Sequence, residues 1–336
     1  MTKKVQPSGD NWGLVGNSWA VDFLQQQVQR GTTSQAYLLT GPAGVGKKTL
    51  ALRLTQALNC PAPVAPGVPC RECTTCRQIE NMQFPDLEVV QSGTIGGDLQ
   101  VESVRGVNST LLLAPYQGKY RVVIFLRFQE ATPSAANALL KTLEEAPGHA
   151  ILILTADSEE QLLPTVVSRC MVLRLRTSPP SVVESALMDR GASVEDARLL
   201  AHLSGGRPGA AIAMLENKDW MKFRIARLEE LRVLLASSRV DKFKYADKLS
   251  RDKGELRRVL QLWLDYWRDV LVCASGSSVP LVNVDRSEEI SSLGGRLGLT
   301  SARKQVKGLE IAIAHLDANA NARLVLEVLL LDFPGK

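Results

Sequence analysis

Two clusters in this chain combine residue types and spacing that can do chemistry. The first is Gly41-Pro42-Ala43-Gly44-Val45-Gly46-Lys47-Lys48. Glycines at these positions let backbone N–H groups curl around a phosphate, and Lys47 adds a point charge. A hydrolysing loop of this kind has Ser or Thr directly after the lysine, to hold magnesium. Lys48 stands there instead, and Thr49 comes one residue late, about 100° further round a helix. Magnesium chemistry also needs a carboxylate at the end of a neighbouring strand. The strand expected over 121–125 runs on into Leu126-Arg127-Phe128-Gln129, and the nearest carboxylate, Glu130, is several residues beyond it. Two independent positions for magnesium are lost together, which predicts a loop that does not hydrolyse ATP.

The second cluster is Cys60-x9-Cys70-x2-Cys73-x2-Cys76. Four thiolates at this spacing suit a closed tetrahedral zinc site, with no open position for catalysis, so the metal expected is structural. Pro61, Pro63, Pro66 and Pro69 make the stretch a poor core segment and argue for an insertion. Cys170 and Cys273 stand alone and read as core residues.

Elements to position these groups follow from periodicity. A helix is expected over 18–29 with Trp19, Phe23, Leu24 and Val28 on its apolar side, then a buried strand over 36–39 feeding the glycine loop and a helix over 47–58. Further strands are expected over 87–90, 120–125, 150–155 and 172–175, with a loop at 93–97 and helices over 101–113 and 133–145. Strands alternating with helices imply a mostly parallel sheet covered on both faces. After Thr177-Ser178-Pro179-Pro180 only helices are expected, over 182–190, 194–203 and 209–215. A longer helical block follows from about 220, including 256–272 with Leu260, Trp263, Trp267 and Leu271 in register and a Gly/Ser/Pro-rich break at 275–280. The basic residues between Lys222 and Arg258, Arg224 and Lys242 among them, are interleaved with acids and read as solvated helix faces. An apolar share of 45% and a charged share of 22% fit a soluble globular protein, and the net charge of +5 permits an acidic partner without demanding one. No apolar run is long enough for a membrane helix, and the basic start, Met1 to Ser8, has no apolar core behind it, so a cytoplasmic protein is expected.

The glycine loop, the four-cysteine insertion, Ala135-Ala136-Asn137-Ala138-Leu139-Leu140-Lys141-Thr142-Leu143-Glu144-Glu145 and Ser168-Arg169-Cys170 resemble, in order and spacing, the bacterial DNA polymerase III clamp-loader family of AAA+ proteins over about residues 12–176. Gly205-Gly206-Arg207-Pro208-Gly209-Ala210-Ala211 and the ending Asn319 to Glu327 are similar to the delta-prime type of subunit in that family. The resemblance implies an α/β AAA+ P-loop domain with a parallel sheet over 1–176, its zinc insertion at 60–76. A three-helix lid over 177–217 and an all-α collar for oligomerisation over 218–336 complete it. Motor subunits of the family carry Asp-Glu-Ala-Asp where this chain has Leu126 to Gln129, and a lid arginine where it has Gly209, with Arg207 two residues off. Ser168-Arg169-Cys170 is intact, and in the family that arginine reaches into the adjacent subunit's nucleotide site. The resemblance therefore implies a subunit without its own ATPase that lends Arg169 as a trans arginine finger during sliding-clamp loading. Its partners would be gamma/tau motor subunits and delta, with the clamp and primer–template DNA reached through the complex. Gly41, Gly44, Gly46, Lys47, Thr49 and the sensor-like Thr155 would form a vestigial site with weak or absent ATP or ADP binding. Thr155 has an equal reading as a hydroxyl that caps the turn at Asp157. Two other classes stay open at this level: an active gamma/tau-type ATPase, and a free-standing zinc-containing DNA-binding protein.

Overall fold

A computed structural model describes residues 11–94, 96–217, 219–318 and 320–334; the expectations for Met1 to Ser8 and for Asn319 lie outside the described residues. Five strands form one parallel sheet: β1 (Ala36–Thr40), β2 (Leu87–Val90), β3 (Arg121–Phe125), β4 (Ala150–Ala156) and β5 (Met171–Arg174), in spatial order β2-β3-β4-β1-β5. Every residue of β1 and β4 is buried. Their continuous apolar runs are what a parallel sheet covered on both faces requires.

One face is covered by α1 (Ser18–Arg30) and α2 (Lys47–Asn59), whose Leu24, Leu50, Leu54 and Leu58 pack with Tyr37 and Leu39 of β1. The other carries α4 (Val101–Leu111) and α5 (Pro133–Glu145), with Val104, Val107, Leu111, Leu139 and Leu143 against Leu38, Val123 and Leu152. Thr132 caps α5 by accepting the Ala135 N–H at 3.2 Å, and Pro133 takes the first helical position, where it loses no bond. Between α2 and β2 lies α3 (Thr74–Glu80), and between β4 and β5 the short α6 (Pro164–Val167).

The sequence expectation for α1 needs one correction. Its buried face is Ala20, Val21 and Leu24, whereas Trp19 is 46% and Phe23 37% exposed. Helical spacing puts Trp19 and Phe23 on one side, but the sheet is covered by the stripe one residue round.

The remaining helices are α7 (Pro180–Met188), α8 (Val194–Leu203), α9 (Pro208–Glu216), α10 (Trp220–Ala236), α11 (Arg239–Leu249), α12 (Lys253–Ala274), α13 (Ser287–Asp317) and α14 (Ala322–Leu331). Inside α13, Gly298 leaves helical geometry (φ 70°), so two helices meet there. The chain divides into two compact units: residues up to 186 with 206–210, and 187–205 with those from 211 on. The core of the second unit centres on Trp263 and Trp267, both fully buried and both against Phe333.

Two of the basic residues expected on solvated faces are not there. Arg224 is fully buried, bidentate to Asp285 at 2.7 and 2.8 Å and bonded to Asn283 at 2.7 Å, while Asp269 holds the Val282 and Asn283 backbone N–H groups. A buried guanidinium needs this much pairing. Lys242 is 6% exposed, and burial, with Arg239 nearby, pushes its ammonium below the usual lysine range.

Asp86 fixes the chain entering β3. Its carboxylate is buried and accepts N–H bonds from Tyr116, Gln117 and Gly118, each at 2.7 Å, with Arg121 at 3.2 Å. Burial works to raise its pKa, and these donors together outweigh it and hold the carboxyl below the usual aspartate range. With the folded pKa depressed, the stabilisation is full above the unfolded value near 3.9 and is lost as pH falls towards the folded one. Asp86→Ala should destabilise the first unit by about 2–4 kcal/mol in urea unfolding at neutral pH. The difference from wild type should shrink at acid pH.

Candidate functional site

The glycine loop leaves the end of β1, between the ends of β4 and β5. Gly41 has φ 138°, and a Cβ there would stand 2.4 Å from the Leu175 carbonyl oxygen, so only glycine fits. At the apex, the Gly44 carbonyl accepts the Gly209 N–H at 2.7 Å, and a Cβ on Gly44 would stand 3.0 Å from Ala210. The start of α9 thus sits on the loop with backbone, at the position where the resemblance implies an arginine in motor subunits.

Lys47 opens α2, and its ammonium is already engaged. It forms an ion pair with Asp157 Oδ1 at 2.8 Å and donates to the Gly41 carbonyl oxygen; its side chain is 11% exposed. Asp157 follows β4, and its backbone carbonyl holds the Gly41 N–H at 3.2 Å. A phosphate reaching Lys47 must displace this carboxylate. Lys48 is exposed, and Thr49 is the third residue of α2.

The chain after β3 is organised by its own charges. Arg127 adopts φ 53°, and its N–H donates to Thr155 Oγ1 at 3.0 Å. The Thr155 hydroxyl is therefore bonded to the end of β3 and not to the turn at Asp157. Arg127 Nε donates to Glu130 Oε1 at 2.9 Å. Glu130 also accepts from the Ser92 hydroxyl and from the Gly96 N–H at 2.8 Å. Burial favours the neutral acid, but these donors outweigh it and hold Glu130 below the usual glutamate range. The carboxylate nearest the strand end is thus committed to a local network.

Arg169 lies beyond α6, where the N–H of Arg169 bonds to Val166 O at 3.2 Å and that of Cys170 to Val167 O at 3.2 Å. The Arg169 side chain is one-third exposed. Nε donates to Glu144 Oε1 of α5 at 2.5 Å, Nη2 pairs with the same oxygen, and Nη1 donates to Thr165 O at 2.9 Å. Cys170 packs against the sheet core, and burial pushes its thiol up to about 12.

The four clustered cysteines converge. Their sulfurs all lie within 4.8 Å of one another, with Cys60–Cys70 at 3.5 Å and Cys70–Cys76 at 3.9 Å. Sulfurs bound tetrahedrally to one zinc at about 2.3 Å stand roughly 3.8 Å apart, so this donor set is compatible with zinc. Cys60 caps the end of α2, Cys70 lies in the loop before α3, Cys73 caps the start of α3, and Cys76 is buried in α3. The Cys73 N–H donates to Cys70 Sγ and the Cys76 N–H to Cys73 Sγ, each at 3.4 Å, the bonding that thiolate ligands require. Donors from Cys73 and Glu72 pull the Cys70 thiol down to about 6, while burial pushes Cys60 and Cys76 up. The cluster is fastened to α2, since Gln56 Nε2 donates to the Cys76 carbonyl at 2.7 Å and Arg53 pairs with Glu80.

Comparison with known proteins places the chain in a family. The model of "DNA polymerase III, delta subunit" matches residues 16–179, and that of "DNA polymerase III, delta subunit, C terminal" matches 218–334. The chain belongs to the DNA polymerase III clamp-loader family. DNA polymerase III subunit delta′ of Bacillus subtilis is 26% identical over 312 residues, covering 92% of this chain and 93% of that one. Subunit delta′ of Pseudomonas aeruginosa is 33% identical over 56% of this chain and 58% of its own length. Subunit tau of Escherichia coli is 32% identical over 48% of this chain, which spans only 25% of tau. Among solved structures, a gamma subunit-related protein of Thermotoga maritima is 16% identical, with a TM-score of 0.46, over 93% of this chain and 97% of that one. The family membership and the sheet order agree with the AAA+ fold expected from the motifs. Among the described residues no helix is long and apolar enough to cross a membrane.

Sequence reasoning found the loop and the cysteines but missed Asp157 and the Glu144–Arg169 pair, whose partners are 110 and 25 residues apart. The zinc reading is tested by metal analysis. The purified chain should carry about one zinc per molecule, and Cys73→Ser should abolish retention through gel filtration. A metal-free wild type that unfolds no differently with a chelator would contradict it.

Proposed function

We propose that this chain is a delta-prime-type clamp-loader subunit that keeps the fold of an ATPase without its magnesium chemistry and lends Arg169 to an adjacent gamma/tau motor subunit. One observation carries the reading. Neither place where magnesium would be held offers a ligand: Lys48 follows the P-loop lysine, Leu126 and Gln129 stand where the family's aspartates would, and Glu130, the first carboxylate after β3, is tied to Arg127. A phosphoryl-transfer site needs a metal held against the β- and γ-phosphates, and the carboxylate at this loop, Asp157, is instead paired with Lys47.

The vestigial site comprises Gly41, Gly44, Gly46, Lys47, Thr49 and Thr155. Asp157 on Lys47 and the Gly209 contact on Gly44 disfavour a phosphate there, which supports weak or absent ATP or ADP binding. Zinc on Cys60, Cys70, Cys73 and Cys76 would be structural, joining the end of α2 to α3, because four sulfur ligands leave no position for substrate.

In this reading the chain comprises a P-loop domain at 1–176, a lid at 177–217 and a collar at 218–336 that assembles with motor and delta subunits. In such a complex the sliding clamp and primer–template DNA are met collectively. A planar, always-charged guanidinium suits Arg169 for transition-state charge on a neighbour's γ-phosphate.

The test is Arg169→Ala in a reconstituted complex with gamma/tau and delta. A trans arginine is worth roughly a thousandfold at the site it reaches, so ATP turnover of the complex should fall while its elution as an intact assembly is unchanged. Undiminished turnover would remove the trans role.

A further inference from the structure

We infer that Glu144 is the positioning residue of Arg169, holding the guanidinium by its Nε–Nη2 edge so that the charge is presented to a phosphate of the neighbouring subunit. The inference rests on the trans reading of Arg169 and adds a second residue to it.

A guanidinium has five N–H donors in a rigid plane. Glu144 Oε1 takes the edge made by Nε, at 2.5 Å, and Nη2. The Thr165 carbonyl takes one donor of Nη1 at 2.9 Å, with Ser168 Oγ at 3.5 Å. Nη1 thus has two acceptors and Nε and Nη2 share Glu144, which leaves one N–H, on Nη2, to meet an oxygen of a phosphate. The anchors come from two elements: Glu144 lies near the C-terminus of α5, which is packed on the sheet, and Thr165 lies in α6. A flexible arginine with four side-chain torsions is thereby limited to one orientation before any partner arrives, which removes an entropic cost from the neighbour's transition state.

Stability does not account for the pair. Glu144 is 47% and Arg169 33% exposed, and ion pairs this open to water add little to folding.

The experiment measures kcat and KM for ATP in the reconstituted complex with Arg169→Ala, Glu144→Ala, Glu144→Gln and the double alanine variant. Glu144→Ala should give at least about half of the kcat loss of Arg169→Ala, with KM changed by less than about twofold, because the group acts on the transition state. Glu144→Gln, whose amide oxygen still accepts from the Nε–Nη2 edge, should recover most of that loss. The double variant should be no slower than Arg169→Ala alone, since the two act as one unit. A loss with Arg169→Ala and none with Glu144→Ala would overturn the positioning role and leave the trans reading standing. No loss with either would overturn both. A Glu144→Ala loss that tracks disassembly of the complex, or that Glu144→Gln does not relieve, would make the residue structural and overturn the proposal.

Discussion

Parallel pairing dictates where everything in the first unit can meet. In register, Thr40 lies beside Ala156 and Phe125 beside Leu154, so β1, β3 and β4 all end at one edge of the sheet. The glycine loop, Arg127 and Asp157 follow those ends, and Thr155 lies near the end of β4's pairing beside them, so all are neighbours for that reason. No sequence change at the loops can undo this placement while the buried strands keep their pattern. Residues at that edge can therefore vary with the fold intact, and Lys48 and Arg127 lie there.

The groups at this edge are paired internally. In a phosphate-bound P-loop the lysine faces its ligand. Here it faces Asp157 across 2.8 Å, Arg127 faces Glu130, and the Gly44 carbonyl is taken by Gly209. Each bond satisfies a group that would otherwise sit half-buried without a partner, which costs more than such a bond contributes. The edge thus reads as a resolved hydrogen-bond network, and Arg169 on the same unit is paired with Glu144. At the far end of α2, the cysteine cluster is locked to the same helix through Gln56 and Arg53, so a metal there would stiffen the element that carries the loop.

Much of this was legible in the residues. Apolar runs marked all five strands, and the spacing of glycines and cysteines marked both clusters, because each of those signals lies within one short segment. The helix α3 after the third cysteine was not expected, hidden in a stretch whose prolines and glycines read as loop. Trp19 and Phe23 sit one step round from the buried stripe of α1, a rotation of a helix against a sheet that periodicity alone does not set. Arg224 looked like part of a solvated basic run; its burial depends on Asn283 and Asp285, about 60 residues away. Asp157 and Glu144 escaped notice for the same reason. A local pattern records which face is apolar, and it carries no information about which distant charge will arrive opposite.

The central claim is that an ATPase fold has become a partner to ATPases. Phosphate release by the purified chain alone, at saturating magnesium and ATP, tests it most directly. The account predicts no turnover above buffer, with wild type and Lys47→Ala indistinguishable. Sustained turnover that Lys47→Ala abolishes would contradict it.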